Sequence, residues 1–492
     1  MGLASPADSG DNMRTFITRK GGVLYEGAVP FRFMGLDAPN LFQNESQLLP
    51  NLSNRFPDEF ELRDSLDTLR QMGARATRTF TLSIYSDRDK LPAFILGLGS
   101  EETKAYNQEA FQALDRLLAL CHEYDVRLIV PFLASQSFRG WRGFDEFAAF
   151  RGKEGIQFFR DPQVKQDFKD LIRYVLNRKN TVSGLVYKDD PAILAWQVAN
   201  EPTVYFPERG KPNDDKLVTD WTLEMAAYLK SVDANHLVAA AGGDAERYIA
   251  SPDVDVLSVH YYQYWDKLGG GDGDIAAMLL RDAARFNGRK PLFADEFGLA
   301  DTQTLARFIG VLFNSEVSGG LLWGMRPHRR DGGFYYHNEP GSGVNSYHWP
   351  GFANGAAYDE QMVLRLLRES AFKIRGLAIP DLPPPTPAPV LLPVSPTGEL
   401  RWRGSTGAAG YDIERSRSKD GPWTVVAADV SDEVVPAADV AGFEAQWDDA
   451  PVWAPPALWK DSPDRTKGPY YYRVVGKNAA GRTAYSNVVG LK

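Results

Sequence analysis

The sequence predicts an α/β fold: a (β/α)8 TIM barrel followed by a C-terminal all-β, immunoglobulin-like sandwich. Three observations carry this reading. Short apolar runs alternate with longer amphipathic stretches through residues 16–376; the runs number eight; and beyond a proline-rich break the pattern changes to short alternating strands. A continuous apolar strand followed by an amphipathic helix, repeated, is the signature of parallel strands buried on both faces. Eight such units in this length fit a closed barrel better than an open doubly wound sheet.

Residues 1–15 contain no apolar signal core and read as a trimmed or engineered, unstructured N-terminus. "FITRKGGVLYEG" (16–27) predicts a hairpin turning at Gly21–Gly22, placed as a cap on the barrel floor. The eight runs are "FRFMGLD" (31–37), "ARATRTF" (74–80), "VRLIVPF" (126–132), "ILAWQVANE" (193–201), "HLVAAAG" (236–242), "VDVLSVHYY" (254–262), "PLFADEFG" (291–298) and "GGLLWGM" (319–325). Between them, segments such as "DEFELRDSLDTLRQMG" and "VKQDFKDLIRYVLNRK" repeat apolar residues at intervals of three and four, as a helix with one buried face requires. The proline density of "LAIPDLPPPTPAPV" forbids helix and predicts an extended, semi-rigid linker over 377–387. Residues 388–492 alternate apolar and polar positions between Gly, Asn and Pro turns, as a small antiparallel sandwich does.

A barrel of this kind works at the C-terminal ends of its strands. Polar residues recur at those ends. The fourth run closes on Asn200–Glu201 and then Pro202; the seventh closes on Asp295–Glu296; the sixth on His260, Tyr261 and Tyr262. The second carries Arg78, the eighth Trp323, and the first is followed by Asp37 and Asn40. Two glutamates facing each other across one barrel mouth suit double displacement at a glycosidic bond when their carboxyls lie roughly 5–5.5 Å apart. One must be protonated and the other ionised, so their surroundings should push the two pKa values apart. Tyr262 and Arg78 are placed to donate to a nucleophilic Glu296, Asn200 to meet a sugar 2-hydroxyl, and Trp323 to floor a pyranose ring. Each residue alone also has an ordinary reading as a cap, a solvated end or core packing; their joint placement favours the site.

The composition narrows the alternatives. A net charge of −9 gives no basic footprint for nucleic acid. No window reaches the roughly 18 apolar residues of a membrane span. The single cysteine, Cys121, forbids an internal disulfide. Phosphate-loop and zinc-protease motifs are absent. Of the six histidines, only His328, His337 and His348 lie close together, in a long Gly-, Tyr- and Arg-rich loop that reads as a cleft wall; no metal or cofactor is expected. The second "NEP", 338–340, follows no apolar strand and is taken as coincidence.

Over residues 15–375 the pattern resembles glycoside hydrolase family 5, a member of the large clan of retaining (β/α)8 glycosidases, and within it the β-mannanases and β-mannosidases. The resemblance rests on Asn200-Glu201-Pro202, on Glu296 in "ADEFG", on Arg78, on His260 and Tyr262, and on Trp323. It implies Glu201 as acid/base, Glu296 as nucleophile, and the others as substrate contacts. Trp141 in "RGWRGFDEF" resembles a mannanase cleft tryptophan, and "GLDAPNLF" resembles the family's Gly-x-Asn segment with Asp37-Ala38-Pro39 inserted. "IVPFLASQS" lacks the histidine pair typical of the cellulose-cutting members, which favours mannan. The tail resembles a fibronectin type III module through Trp402 and "YYYRVVGKNAAGRTAYSN", a spacer in many polysaccharide hydrolases; Trp423, Trp447 and Trp453 fit either sugar binding or packing.

The expected protein is therefore a retaining endo-hydrolase of β-1,4-mannosidic linkages, monomeric, acting on β-mannan or a related neutral polysaccharide or oligosaccharide. It is expected to be secreted or periplasmic in a bacterium, with a cytoplasmic location also compatible. Exo action, β-1,4-glucanase or transglycosylase activity, and a non-catalytic sugar-binding barrel remain as alternatives.

Overall fold

A computed structural model describes residues 13–44, 56–99, 102–138, 140–204, 213–286, 288–339, 343–344, 346–352, 359–433 and 457–491. The chain opens with three antiparallel strands, β1 (Ile17–Lys20), β2 (Val23–Glu26) and β3 (Val29–Phe31). Lys20 faces Val23 across a turn at Gly21, whose φ of 60° is the left-handed value that glycine adopts without steric cost. The hairpin is the predicted one; β3 is an addition, too short for alternation to register.

Eight strands follow: β4 (Phe33–Leu36), β5 (Ala76–Arg78), β6 (Arg127–Pro131), β7 (Ile193–Gln197), β8 (Leu237–Ala240), β9 (Val256–Tyr262), β10 (Leu292–Gly298) and β11 (Gly319–Trp323). Each falls within one predicted run. They pair in parallel in the order β4-β11-β10-β9-β8-β7-β6-β5. The seam between β4 and β5 is drawn together by Ala38 N–H to Arg78 O at 2.9 Å and Thr77 Oγ1 to Leu36 O at 2.7 Å. Helices pack outside, among them Glu59–Gln71, Gln108–Tyr124, Pro162–Asn177, Asp215–Val232 and Glu360–Lys373. The first is started by Asp58 and Glu61, whose carboxylates each accept the other's backbone N–H at 3.0 Å.

Two apolar cores result. Ile17, Leu24 and Phe31 of the opening sheet pack against Phe33, Ile129, Leu194, Leu237 and Phe293, which plugs the N-terminal mouth of the barrel. A larger layer lies between strands and helices; there Trp196 is buried and donates from Nε1 to Asp233 at 2.7 Å. The lower mouth is thus closed with side chains, leaving the upper one for chemistry.

The described part of the tail holds only β-strands and one short 3-10 turn. Its main sheet places Gly410–Ser416 antiparallel between Thr424–Val430 and Tyr470–Asn478. Trp402 is fully buried there, 5.2 Å from Tyr411. Trp447 and Trp453 lie outside the described residues.

One expectation about this region needs correction. The proline-rich stretch is extended and is hydrogen-bonded on both sides: Arg368 Nη2 donates to Pro380 O at 2.7 Å, and Asn478 Nδ2 donates to Pro383 O at 2.8 Å. The two parts also touch directly, through Thr406 Oγ1 to Asp64 at 2.6 Å and Arg403 Nε to Arg330 O at 2.9 Å. The expectation to correct is that of the loop after β11, which is not simply a cleft wall. His328 is buried between Asp64 of the first barrel helix at 2.9 Å and Asp432 of the tail at 3.0 Å. Burial opposes its charge, but the two carboxylates win and raise its pKa to about 10. The clamp therefore stabilises the docked form fully below the ordinary 6.5 and loses this contribution as pH rises through about 10. Removing one partner of such a buried pair typically costs about 3–5 kcal/mol. His348 is likewise committed, to Glu360 at 3.2 Å.

Candidate active site

The upper mouth is organised by one cation. Arg78, at the end of β5, is completely buried. It donates from Nε to Gln197 Oε1 at 2.8 Å, from Nη1 to Glu296 Oε2 at 2.8 Å, and from Nη2 to Asn200 Oδ1. A buried guanidinium needs this kind of saturation, and its planar fork holds three acceptors at fixed angles. Arg78 thereby ties the ends of β7 and β10 to β5.

Glu296 sits where β10 departs from regular pairing. Phe293 is opposite Ser258, yet Glu296 is opposite His260, so three residues of β10 run against two of β9. Such a bulge re-aims side chains. Asp295 is fully buried, accepting from Ser258 Oγ at 2.7 Å and Gln197 Nε2 at 2.9 Å. Glu296 accepts from Arg78 and, at 2.5 Å, from the Tyr262 hydroxyl.

Glu201 follows β7 with φ of 43°, a left-handed value unusual for a side-chain-bearing residue and most often retained at functional positions. Its carboxyl accepts from His260 Nδ1 at 2.7 Å and from Gln136 Nε2. Its side chain keeps 30 % of its surface exposed, against 8 % for Glu296. Gln136 Oε1 in turn accepts from Asn200 Nδ2 at 3.1 Å. Donor and acceptor atoms of Glu201, His260 and Glu296 all lie within 4.8 Å of one another.

The two carboxyls differ in proton affinity, but in the sense opposite to the expectation of an ionised Glu296 beside a protonated Glu201. Burial raises Glu296, the charge of Glu201 adds to this, and His260, Arg78 and Tyr262 do not fully offset it. Burial also raises Glu201, but His260, Arg78 and Gln136 outweigh it and the net shift is down. The physical reason is the imidazole. His260 is 2.7 Å from Glu201 and 3.6 Å from Glu296, and despite its burial these carboxylates raise its pKa to about 9. Around neutral pH the proton sits on His260, hydrogen-bonded to Glu201.

Of the other candidate residues, Trp323 lies near the mouth with its ring under the Arg326 guanidinium, and His337 meets it edge-on at 5.8 Å. Asn40 is buried and accepts from Arg326 Nη1 at 3.2 Å. Trp141 is not brought to the cleft surface: it is 1 % exposed and packs edge-on to Phe80 at 5.0 Å, which in turn lies 5.9 Å from Trp323. It backs the aromatic wall instead of forming it. Asp37 is fully buried with neither carboxyl oxygen hydrogen-bonded among the described residues. Burial pushes it well above the usual carboxylate range, against the opposing charge of Arg78.

Gln136, Gln197 and Ser258 join the site without a charge at a strand end to mark them in the sequence. Gln136 lies in "IVPFLASQS", the segment after β6, and its amide is the only sequence signal for its place in the site. Among the described residues no helix is long and apolar enough to cross a membrane.

A (β/α)8 barrel carrying two carboxyls of unlike proton affinity at its C-terminal mouth, locked by a buried arginine, is a scaffold for acid–base chemistry on a ligand in that mouth. The chain belongs to glycoside hydrolase family 5: the family description "GH family 5 beta-mannosidase-like" matches residues 14–265, just over half of it. Mannan endo-1,4-beta-mannosidase 4 of Solanum lycopersicum is 36 % identical over 262 residues, 44 % of this chain and 63 % of that protein. Mannan endo-1,4-beta-mannosidase 1 of Arabidopsis thaliana is 30 % identical over 312 residues, 53 % of this chain and 72 % of that one. The chain thus spans less than two thirds of the tomato relative's length. Among solved structures, an endo-1,4-beta-mannanase from Rhizomucor miehei is similar in fold, with a TM-score of 0.57 and 20 % identity over 74 % of this chain and all of that one.

Proposed function

We propose that the protein is a retaining endo-hydrolase of β-1,4-mannosidic linkages, with Glu296 as nucleophile and Glu201 as acid/base. The observation that carries the reading is the approach of the Glu201 and Glu296 carboxyl oxygens to within 4.8 Å, close to the separation of retaining pairs and too short to seat a water between them as inversion requires. The mannan assignment rests on family membership and on the activities for which the relatives are named.

In the first step Glu296 attacks the anomeric carbon while Glu201 protonates the departing glycosidic oxygen. Glu201 obtains that proton from His260 Nδ1, 2.7 Å away. Arg78 and Tyr262 hold the two Glu296 oxygens so that one lone pair faces the sugar. Asn200 uses one amide N–H on Gln136, and its second is available to the 2-hydroxyl. In the second step Glu201, now a carboxylate, takes a proton from water, whose oxygen displaces Glu296. Trp323 serves as ring floor, with Asn40 acting through Arg326. A polymeric substrate fits an exported protein, and the tail is read as a fibronectin type III-like module, supported by its buried Trp402 and antiparallel pairing.

Two outcomes follow. Product profiles on mannan, galactomannan, mannobiose and cellulose are expected to show oligosaccharides from the first two, little action on mannobiose and none on cellulose; predominant cleavage of cellulose would overturn the assignment. The pH profile of kcat/KM should fall on the acid side as Glu296 is protonated, and on the alkaline side near pH 9 as His260 loses its proton. His260→Asn should displace that alkaline limb.

A further inference from the structure

The proposed ring floor is backed by a loop. Trp323 ends β11, and two of its neighbours, the Arg326 guanidinium 5.4 Å from its ring and His337 edge-on at 5.8 Å, come from the segment that follows. Between β11 and the helix Glu360–Lys373 the described residues form no helix and only a two-residue strand pair. Yet Met325, Arg326, His328, Arg329, Tyr335 and His348 are almost wholly buried there. Buried irregular backbone must find its hydrogen-bond partners elsewhere in the molecule.

Those partners come from two sides. The helix Glu59–Gln71 supplies one: Asp64 Oδ2 accepts from His328 N–H at 2.8 Å, Glu61 Oε1 from Arg330 N–H at 3.1 Å, and Gln71 Oε1 from Trp349 Nε1 at 2.8 Å. The tail supplies the other. His328 Nε2 donates to Asp432 Oδ2 at 3.0 Å, Arg403 Nε donates to Arg330 O at 2.9 Å, and Thr406 Oγ1 shares Asp64 Oδ1 with His328 Nδ1. The seam is close enough to need glycine on both sides. A Cβ on Gly404 of the tail would stand 2.2 Å from the His328 ring, which is already stacked on Phe334 at 3.8 Å. Gly332 of the loop, with φ of 95°, would place one 3.0 Å from Trp402 O.

We infer that the tail takes part in saccharide binding by the barrel: fixing the loop after β11 between itself and the helix Glu59–Gln71, it sets the position of Trp323. The inference rests on Trp323 being the ring floor proposed above. His328 is the positioning residue, and Asp432 and Gly404 act through it. Arg326 precedes His328 by two residues, and His337 follows the stacked Phe334 by three, so both groups against Trp323 leave directly from the clamp. A spacer whose contacts are cut leaves binding at the mouth unchanged; a tail that shapes the floor changes it. The floor touches the sugar alike in the ground and transition states, so its displacement weakens binding and spares the chemical step.

The full chain carries the test in three variants. Asp432→Ala removes the tail's carboxylate, Gly404→Ala wedges the His328 ring, and Asp432→Asn keeps an acceptor oxygen in place. Each alanine variant is expected to raise KM for mannan by about tenfold with kcat held within about twofold, the pattern of lost uniform binding, and Asp432→Asn to fall between. Amide hydrogen exchange over residues 324–337 should speed up in the same order. An unchanged KM in variants whose loop exchange or melting temperature has shifted would make the clamp a purely structural tie and overturn the inference; unchanged exchange would overturn it too. If Gly404→Ala does not fold, the two Asp432 variants decide. Absence of mannan turnover by the unaltered protein would instead sink the proposed function, while the exchange rates still decide whether the tail holds the loop.

Discussion

Glu296→Ala is expected to lower kcat on β-mannan by at least ~10⁴-fold, the scale seen when one member of a catalytic unit is deleted. The loss is large because Arg78, Tyr262 and His260 are arranged around this carboxyl and none of them can form the glycosyl bond in its place. The fold should survive. Arg78 keeps Gln197, Asn200 and, at 3.6 Å, Asp295 as partners, so the deletion does not strand a buried guanidinium. Steady-state kinetics with a thermal melt separates the two: turnover within tenfold of the unaltered protein, at an unchanged melting temperature, would remove Glu296 from the mechanism.

The second largest effect belongs to Glu201, and its mark is selectivity. Glu201→Ala should cost about 10²–10⁴-fold on mannan, where the leaving alkoxide needs a proton. A dinitrophenyl mannoside leaves as a stable phenolate and should react nearly as fast as with the unaltered protein in the first step. Equal losses on both substrates would mean that Glu201 does something other than deliver a proton. Because alanine has the same left-handed penalty as glutamate at φ 43°, the backbone term cancels in this comparison.

The barrel was legible because parallel strands covered on both faces must be apolar throughout. Each of the eight runs, from "FRFMGLD" to "GGLLWGM", contains one of β4 to β11. Residues at strand ends could be listed for the same reason: a charged group directly after a buried run has to be explained. What alternation could not foresee was the bulge in β10. A regular strand puts Asp295 and Glu296 on opposite faces, and only the extra residue brings both into the mouth. Gln136 and Gln197 escaped notice because an amide carries no charge to flag it, although each bridges two site residues. The proton affinities ran against expectation because a histidine's effect depends on which of two carboxylates it is nearer, and spacing along the chain does not encode that distance. Trp141 and His328 show the limit for loops. Both lie after strand ends, yet one backs an aromatic wall and the other clamps the tail, and burial alone distinguishes these roles from contact with a ligand.

The central claim is double displacement through the closely spaced Glu201 and Glu296. Proton NMR of the first-formed reducing end during mannan oligosaccharide cleavage tests it most directly, before mutarotation mixes the anomers. The account predicts the β-anomer, the product of two inversions; initial release of the α-anomer would contradict it.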